Sequence, residues 1–241
     1  MSEVSDVSEE SMLVLSQQDV LDLFTMPDAV RLMEATLADL VLRDAVMPVR
    51  TTLKLPGGVG TLGLMPAYLH DPERLAVKVI GIFPGNRERG LDSHPGAVLL
   101  FEADTGRLLA LIEAGAVTAI RTAAVSGVAT RALARPDAQT LALLGSGVQA
   151  ATHLDAMRAV RPIRSVTVWS RERAHAVDFA EAMAARHQIP VVAAASAQEA
   201  VRDADIICTV TASHDPVLAG AAVRPIGAPP VRPRWCRKCT A

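Results

Sequence analysis

The sequence predicts an α/β fold in which a mostly antiparallel α+β region precedes a parallel, doubly wound sheet. Residues 140–144 form a short continuous apolar run, typical of a strand that is buried on both faces of a parallel sheet. A glycine-rich turn and a helically spaced apolar pattern follow, and strand and helix then alternate as far as residue 210. In the first 115 residues the pattern instead predicts five short strands in close succession.

The glycine turn has the spacing Gly-x-Gly-x-x-Ala and runs from Gly145 to Ala150. Gly145 permits the tight turn, and Gly147 lets the backbone approach a pyrophosphate group. The N-terminus of the following helix offers free N–H groups and the positive end of the helix dipole. An ordinary tight turn is the alternative for a glycine motif taken alone. Because a strand precedes this motif and a helix follows it, we expect a Rossmann-type dinucleotide site.

The sequence after the Gly145 turn also predicts the remaining strands of this sheet and the helices that pack on it. The strands are expected at Ser165–Trp169, Pro190–Ala194 and Ile206–Val210, and the helices at Arg171–Arg186 and Ala197–Arg202.

The residues after the second strand of this sheet bear on the choice of cofactor. An NAD-selective site usually has an acidic residue there, which bonds the ribose 2′-hydroxyl. This chain has Ser170, Arg171 and Arg173, and a guanidinium suits a 2′-phosphate. The alternative is a solvated arginine at the start of a helix. NADP(H) is therefore the favoured cofactor, with NAD(H) as the alternative.

The N-terminal half is predicted from its capping residues, turns and strands. Ser16 can cap a short helix from Gln17, and Pro27 fits the first turn of a longer helix. Turn signals at residues 56–58 and 104–106 separate pairs of strands as hairpins. The strands are expected at Val49–Leu55, Val59–Met65, Leu75–Ile82, Ala97–Glu102 and Leu108–Ile112, followed by a linking helix at Ala114–Leu133.

Composition favours a soluble enzyme in the cytoplasm. The 241 residues carry a formal net charge of −2, which gives no reason to expect nucleic acid as a partner. No apolar run approaches the roughly 18 residues that a membrane span needs, and the acidic N-terminus lacks the features of a signal peptide. Three cysteines cannot form a disulfide framework. The histidines lack ligand spacing, and the Cys236-x-x-Cys239 pair lacks the other two ligands of a structural zinc site. We expect no metal.

A series of distinctive motifs follows along the chain. They are Met47-Pro48-Val49-Arg50-Thr51, Leu62-Gly63-Leu64-Met65-Pro66-Ala67-Tyr68, Val77-Lys78, Phe83-Pro84-Gly85-Asn86, Ser93-His94, Leu99-Leu100-Phe101-Glu102, Thr118-Ala119-Ile120-Arg121-Thr122-Ala123-Ala124, Gly145-Ser146-Gly147-Val148-Gln149-Ala150 and Thr209-Val210-Thr211. These motifs, in this order, resemble the ornithine cyclodeaminase/μ-crystallin family, and the similarity runs from about residue 12 to about residue 224.

The resemblance implies a homodimer built through the N-terminal domain, with a small amino acid or cyclic imine bound between the two domains. Its shared chemistry is hydride transfer at a carbon that bears an amine or imine next to a carboxylate. The motifs look closer to the ketimine-reductase branch, which implies reduction of pyrroline- or piperideine-2-carboxylate with NADPH. Ornithine cyclodeamination, a non-catalytic NADPH-binding protein and an inactive fragment remain the alternatives.

The resemblance also implies roles for individual residues. Arg50, Lys78 and Arg121 form a cationic clamp for the substrate carboxylate, and His94 lies near the cofactor or substrate. Each has a structural alternative: a surface arginine, a lysine that snorkels from an edge strand, an arginine in a structural ion pair, and a plain loop histidine. Lys78 also stands inside an otherwise apolar strand, an expensive place for an unpaired ammonium. The expected cofactor-binding residues are Gly145, Ser146, Gly147, Val148, Gln149, Ser170, Arg171, Thr122, Thr209 and Val210.

The C-terminal segment departs from the pattern that the resemblance implies. We expect a substrate and dimerisation domain at residues 1–115, an incomplete Rossmann domain at 116–225 and an aberrant tail at 226–241 that results from a shifted reading frame. A chain that lacks the last strands of its sheet would leave the strand Ile206–Val210 as an apolar edge. The sequence as given is therefore expected to be poorly soluble and inactive in imine reduction.

Overall fold

A computed structural model describes residues 12–43, 45–92 and 95–223. Within these ranges the chain divides into two compact units: the first is drawn from residues 12–25 and 35–118, and the second from residues 26–34 and 119–223. His94 and the tail at 226–241 lie outside the described residues. No helix of the described part is long and apolar enough to cross a membrane.

The first unit is built on a six-stranded sheet in the order β1-β6-β5-β4-β3-β2. Neighbouring strands are antiparallel except β1 and β6, which are parallel. The strands are β1 (Leu13–Leu15), β2 (Thr51–Lys54), β3 (Thr61–His70), β4 (Glu73–Ile82), β5 (Gly96–Phe101) and β6 (Leu108–Glu113). The helices that begin or end in this unit are α1 (Gln17–Leu23), α2 (Met26–Leu42) and α3 (Ala114–Leu133).

Local sequence signals account for most of this unit. Ser16 caps α1 as predicted, and its hydroxyl accepts a hydrogen bond from the backbone N–H of Asp19 in a capping box. Both predicted hairpins, β2–β3 and β5–β6, are present. The prediction of a mostly antiparallel α+β region is therefore confirmed, although β1 was not expected.

Strand β3 is longer than the sequence indicated, because it continues through Pro66 to His70. Proline cannot donate to a sheet ladder and is tolerated where a strand has a free side. The pairing of β2 with β3 ends at Leu64, so Pro66 pairs with Val77 of β4 and lies beyond the reach of β2. The strand prediction that stopped at Met65 was wrong for this reason.

The second unit contains a four-stranded parallel sheet in the order β10-β7-β8-β9. Its strands are β7 (Thr140–Leu144), β8 (Ser165–Trp169), β9 (Val191–Ala193) and β10 (Ile206–Thr209), and its helices after α3 are α4 (Val148–Val160), α5 (Arg173–His187) and α6 (Ala197–Val201). Leu141 and Leu143 pack in one apolar cluster with residues of α4 and α5. Ala142 and Leu144 pack in another with residues of α6. Both faces of β7 are covered, which confirms the doubly wound sheet.

Candidate functional site

The glycine turn and two other predicted segments meet at the carboxyl edge of the parallel sheet. The last residue of β7, Leu144, pairs in register with Trp169 at the end of β8 and with Thr209 at the end of β10. The chain runs from β7 to β8 and β9 on one side, while β10 lies on the other side. In such sheets ligands bind outside the carboxyl ends, where the strand order reverses. The edge next to β7 is therefore the candidate dinucleotide site.

Gly145 occupies a position that only glycine fits. Its φ is 128°, in the region that L side chains rarely adopt. A Cβ built on Gly145 would lie 2.8 Å from the carbonyl oxygen of Val210. The Gly145 N–H donates to the Trp169 carbonyl at 2.7 Å, and the Val210 N–H donates to the Leu144 carbonyl at 2.9 Å. Gly145 thus lets the ends of β8 and β10 close around the turn.

Gly147 has a different role, because it is the N-cap of α4 and faces open space. Its φ of −93° and ψ of −169° are extended, and no side chain caps the helix. A Cβ built on Gly147 would meet no heavy atom within 4 Å. The next residue, Val148, is 70% exposed. An open helix N-terminus with a glycine at its cap fits a pyrophosphate group.

A buried histidine contacts the first turn of α4 and the neighbouring helix α3. His153 is 6% exposed. Its Nδ1 lies 2.6 Å from the Gln149 carbonyl oxygen, and its Nε2 lies 3.0 Å from the Ser126 hydroxyl of α3. Burial lowers the pKa of His153, although the bond to Gln149 opposes this effect. The neutral ring therefore donates to Gln149 and joins α4 to α3.

The side chain of Gln149 contains a buried oxygen that could accept a further hydrogen bond. Its Oε1 is buried and has no hydrogen-bond partner among the described residues. A buried acceptor without a partner costs roughly 1–3 kcal/mol. A ligand that donates to this oxygen at the turn would remove that cost.

The residues after β8 combine a partly buried hydroxyl with exposed arginines. Ser170 is half-buried and Arg171 is exposed. Glu172 follows as the N-cap of α5, and its side chain makes no capping hydrogen bond. Arg173 is the first residue of that helix. Arg171 is therefore accessible to a ligand at the strand end.

Lys78 lies in β4, which has β3 on one side and β5 on the other. Its neighbours across the two ladders are Met65 and Val98. The lysine is half-buried, and its Nζ donates to the Thr118 hydroxyl of α3 at 3.3 Å. An interior strand excludes the alternative of a lysine that snorkels from a sheet edge.

Other predicted site residues lie just before β2 and in α3. Arg50 is exposed and directly precedes β2. Arg121 is exposed and Thr122 is half-buried, and both lie in α3. In the described ranges no group of three or more His, Cys, Asp or Glu residues could hold a metal ion.

Comparison with known proteins decides the family. The sequence model of the ornithine cyclodeaminase/mu-crystallin family matches residues 10–228. The chain belongs to this family.

Members of the ornithine cyclodeaminase/mu-crystallin family with similar sequences include reductases. The chain is 38% identical to the ketimine reductase mu-crystallin of Rattus norvegicus over 196 residues, which are 79% of this chain and 61% of that protein. It is 35% identical to a delta(1)-pyrroline-2-carboxylate reductase of Bacillus cereus over 208 residues, which are 86% of this chain and 64% of that protein. The chain thus spans less than two thirds of the length of these relatives.

Solved structures show the same fold. The Thermococcus litoralis delta(1)-pyrroline-2-carboxylate reductase in complex with NADH and L-proline superposes with a TM-score of 0.85 at 38% identity, covering 88% of this chain and 66% of that one. A lysine cyclodeaminase gives a TM-score of 0.75 at 33% identity, covering 88% of this chain and 65% of that one. Family membership and the Rossmann-type fold class are therefore confirmed.

Two contacts near the candidate sites were not predicted from the sequence. Thr118 was noted as part of a family motif without a role, although it stands one helical turn before Arg121. No role was expected for His153, because the histidines lack ligand spacing. Its signal was its position on the apolar face of α4, beside Leu154 and Met157, where a histidine needs partners for both ring nitrogens.

Proposed function

We propose that this protein reduces a small cyclic ketimine acid with NADPH, of the pyrroline-2-carboxylate or piperideine-2-carboxylate class. The observation that carries the proposal is the meeting of the glycine turn, Ser170-Arg171 and Thr209-Val210 at one sheet edge. The similarity to a ketimine reductase and to a delta(1)-pyrroline-2-carboxylate reductase supports it. When bound, the dinucleotide supplies a hydride to the imine carbon.

The proposed cofactor site uses the geometry of the carboxyl edge. The open N-terminus of α4 at Gly147 would hold the pyrophosphate, with Ser146, Val148 and Gln149 around it. Ser170 and Arg171 would hold the ribose 2′-phosphate, for which a guanidinium is well suited. Thr122, Thr209 and Val210 would complete the site. An exposed Arg171 at the strand end supports NADPH over NADH, whereas the NADH-bound relative keeps NAD(H) as the alternative.

The proposed substrate site uses the three cationic side chains of the clamp. Arg50, Lys78 and Arg121 would bind the carboxylate and orient the imine carbon, which raises the rate through positioning. His94 would assist proton transfer to the imine nitrogen. The product is the cyclic amino acid, for which the relative with bound L-proline is a precedent.

We extend the proposal to the assembly of the protein. Residues 1–115 would bind substrate and form a homodimer, and residues 116–225 would bind the dinucleotide. An archaeal alanine dehydrogenase dimer with bound NAD, at 31% identity and a TM-score of 0.81, supports a dimer that binds a dinucleotide.

The test is a set of parallel assays on the purified 241-residue chain, and it also decides between this proposal and the expectation, drawn from the C-terminal segment, that the chain as given is inactive. With NADPH and pyrroline-2-carboxylate or piperideine-2-carboxylate, we expect loss of nicotinamide absorbance and formation of L-proline or L-pipecolate. With L-ornithine and NAD⁺, we expect no ammonia. Release of ammonia would instead identify a cyclodeaminase. NADPH binding without turnover of either imine would identify a binding protein or an inactive fragment, and both results would overturn the proposal.

A further inference from the structure

The contact between Lys78 and Thr118 joins the middle of a sheet to the start of a helix. The Lys78 side chain leaves β4 between the apolar neighbours Met65 and Val98. Its ammonium then donates to the Thr118 hydroxyl at 3.3 Å in a half-buried setting. An ammonium in such surroundings depends on its polar contacts, because each one that is lost leaves the charge less well solvated.

Thr118 is well placed to hold that ammonium because the helix that carries it is anchored. The carboxylate of Glu113, the last residue of β6, accepts hydrogen bonds from the N–H groups of Gly115 at 2.5 Å and Ala116 at 2.7 Å. These bonds satisfy donors in the first turn of α3. Thr118 stands in the next turn, so its backbone is held close to the end of β6.

We infer that Thr118 is a positioning residue that orients Lys78 for the substrate carboxylate. The inference rests on the proposed function. The hydroxyl occupies one N–H of the ammonium and limits the rotamers of a long side chain. The remaining N–H groups then point in fixed directions. In α3, Arg121 and Thr122 follow Thr118 by three and four residues and so share its side of the helix. One helical face thus supplies the group that orients Lys78, a proposed clamp arginine and a proposed cofactor contact.

The first test measures Lys78 itself and needs no turnover. The chain has three lysines, at positions 54, 78 and 238. Reductive methylation with formaldehyde, followed by peptide mass spectrometry, reports the reactivity of each amine. Lys54 lies exposed in β2 and serves as the internal standard. Thr118→Val removes the acceptor at nearly constant volume, which favours the neutral, reactive amine. We expect Lys78 to react about threefold to tenfold faster relative to Lys54, and Thr118→Ser to restore the parent rate. If the methylation rate of Lys78 relative to that of Lys54 is the same in Thr118→Val as in the parent, the inference is overturned.

The second test follows the consequence for catalysis. Thr118→Val should lower kcat/KM for pyrroline-2-carboxylate by about tenfold, as misplacement of a positioning group does, while the NADPH Kd stays within about twofold. Thr118→Ser should recover most of the loss. The matched control is Thr130→Val on the same helix, where the hydroxyl donates to the Met157 sulfur at 3.3 Å. Full activity in Thr118→Val would overturn the inference. A parent protein without turnover would refute the proposed function instead, and the labelling ratio would then decide the role of Thr118.

Discussion

Gly145 lies directly against the backbone of Val210, so that a Cβ on Gly145 would come within 2.8 Å of the Val210 carbonyl oxygen. This relationship holds the end of β10 beside the turn that follows β7. Gly147, two residues along the same turn, has no heavy atom within 4 Å of the equivalent position. The two glycines of one motif therefore serve different purposes: one closes the sheet edge, and the other leaves it open for a ligand.

Substitution of Gly145 should damage the fold. Gly145→Ala adds a methyl group where the backbone of Val210 lies and forces a φ that alanine rarely adopts. We expect the free energy of unfolding to fall by about 1–3 kcal/mol. Urea denaturation followed by circular dichroism measures this change. A variant as stable as the parent would show that the segment at Val210 moves away at little cost.

Substitution of Gly147 should damage binding and spare the fold. Gly147→Ala places a methyl group in open space at the N-cap of α4, where we propose the pyrophosphate. The free energy of unfolding should fall by less than about 1 kcal/mol, whereas the NADPH Kd should rise at least about tenfold. Calorimetric titration with NADPH checks this. Parent-like affinity in Gly147→Ala would contradict a pyrophosphate site at this turn.

Arg171 should determine the preference for NADPH over NADH. Arg171→Ala removes the exposed guanidinium after β8, and a charge-assisted contact of this kind contributes roughly 1–3 kcal/mol. We expect the ratio of the NADH Kd to the NADPH Kd to fall towards one. Arg164→Ala is the matched control, because Arg164 is an exposed arginine that precedes β8 at its opposite end. Equal affinity of the parent for both cofactors would contradict the assignment.

Local patterns explain why the sequence predicts one site well and the other only in part. The segment from Thr140 to Ala150 contains its own strand, turn and helix start, and both faces of β7 are apolar because both are covered. The contact of Lys78 with Thr118 joins residues 40 apart. No local pattern encodes such a distance. Strand β1 was missed for the same reason, since three residues pair with a strand about 100 positions away.

Lys78 should be required for turnover and dispensable for cofactor binding. Lys78→Met keeps the apolar stem and removes the ammonium that we propose binds the substrate carboxylate. We expect kcat/KM for pyrroline-2-carboxylate to fall more than about tenfold, a barrier increase above about 1.4 kcal/mol, with an unchanged NADPH Kd. Lys54→Met, in the exposed strand β2, is the control. A variant that keeps more than about a tenth of the parent efficiency would make Lys78 structural.

The buried His153 should make stability depend on pH. Burial lowers the pKa of His153 below its ordinary value of 6.5, so the folded protein binds fewer protons than the unfolded chain. Its neutral form contributes stability that is present above pH 6.5 and is lost as the pH falls from there towards the folded pKa. The melting temperature should therefore decrease as the pH is lowered from about 7.5 to about 5.5.

Two variants assign this pH dependence. His153→Gln removes the titrating ring and should flatten the curve, whatever its effect on stability at neutral pH. Burial also lowers the pKa of His187, against the opposing effect of Asp155, so this residue contributes with the same sign. His187→Gln therefore measures the part of the pH dependence of stability that His187 contributes. An equal slope in His153→Gln and in the parent would mean that the Ser126–His153–Gln149 contacts do not hold the ring neutral.

The central claim is that a dinucleotide bound at the carboxyl edge of the parallel sheet delivers a hydride to the imine carbon next to a carboxylate. The most direct measurement uses NADPH that carries deuterium at the transferring position of the nicotinamide, incubated with the protein and pyrroline-2-carboxylate. We predict L-proline with one deuterium on its α-carbon, in an amount equal to the NADPH consumed. L-Proline without deuterium, or NADPH that remains unoxidised, would contradict the account.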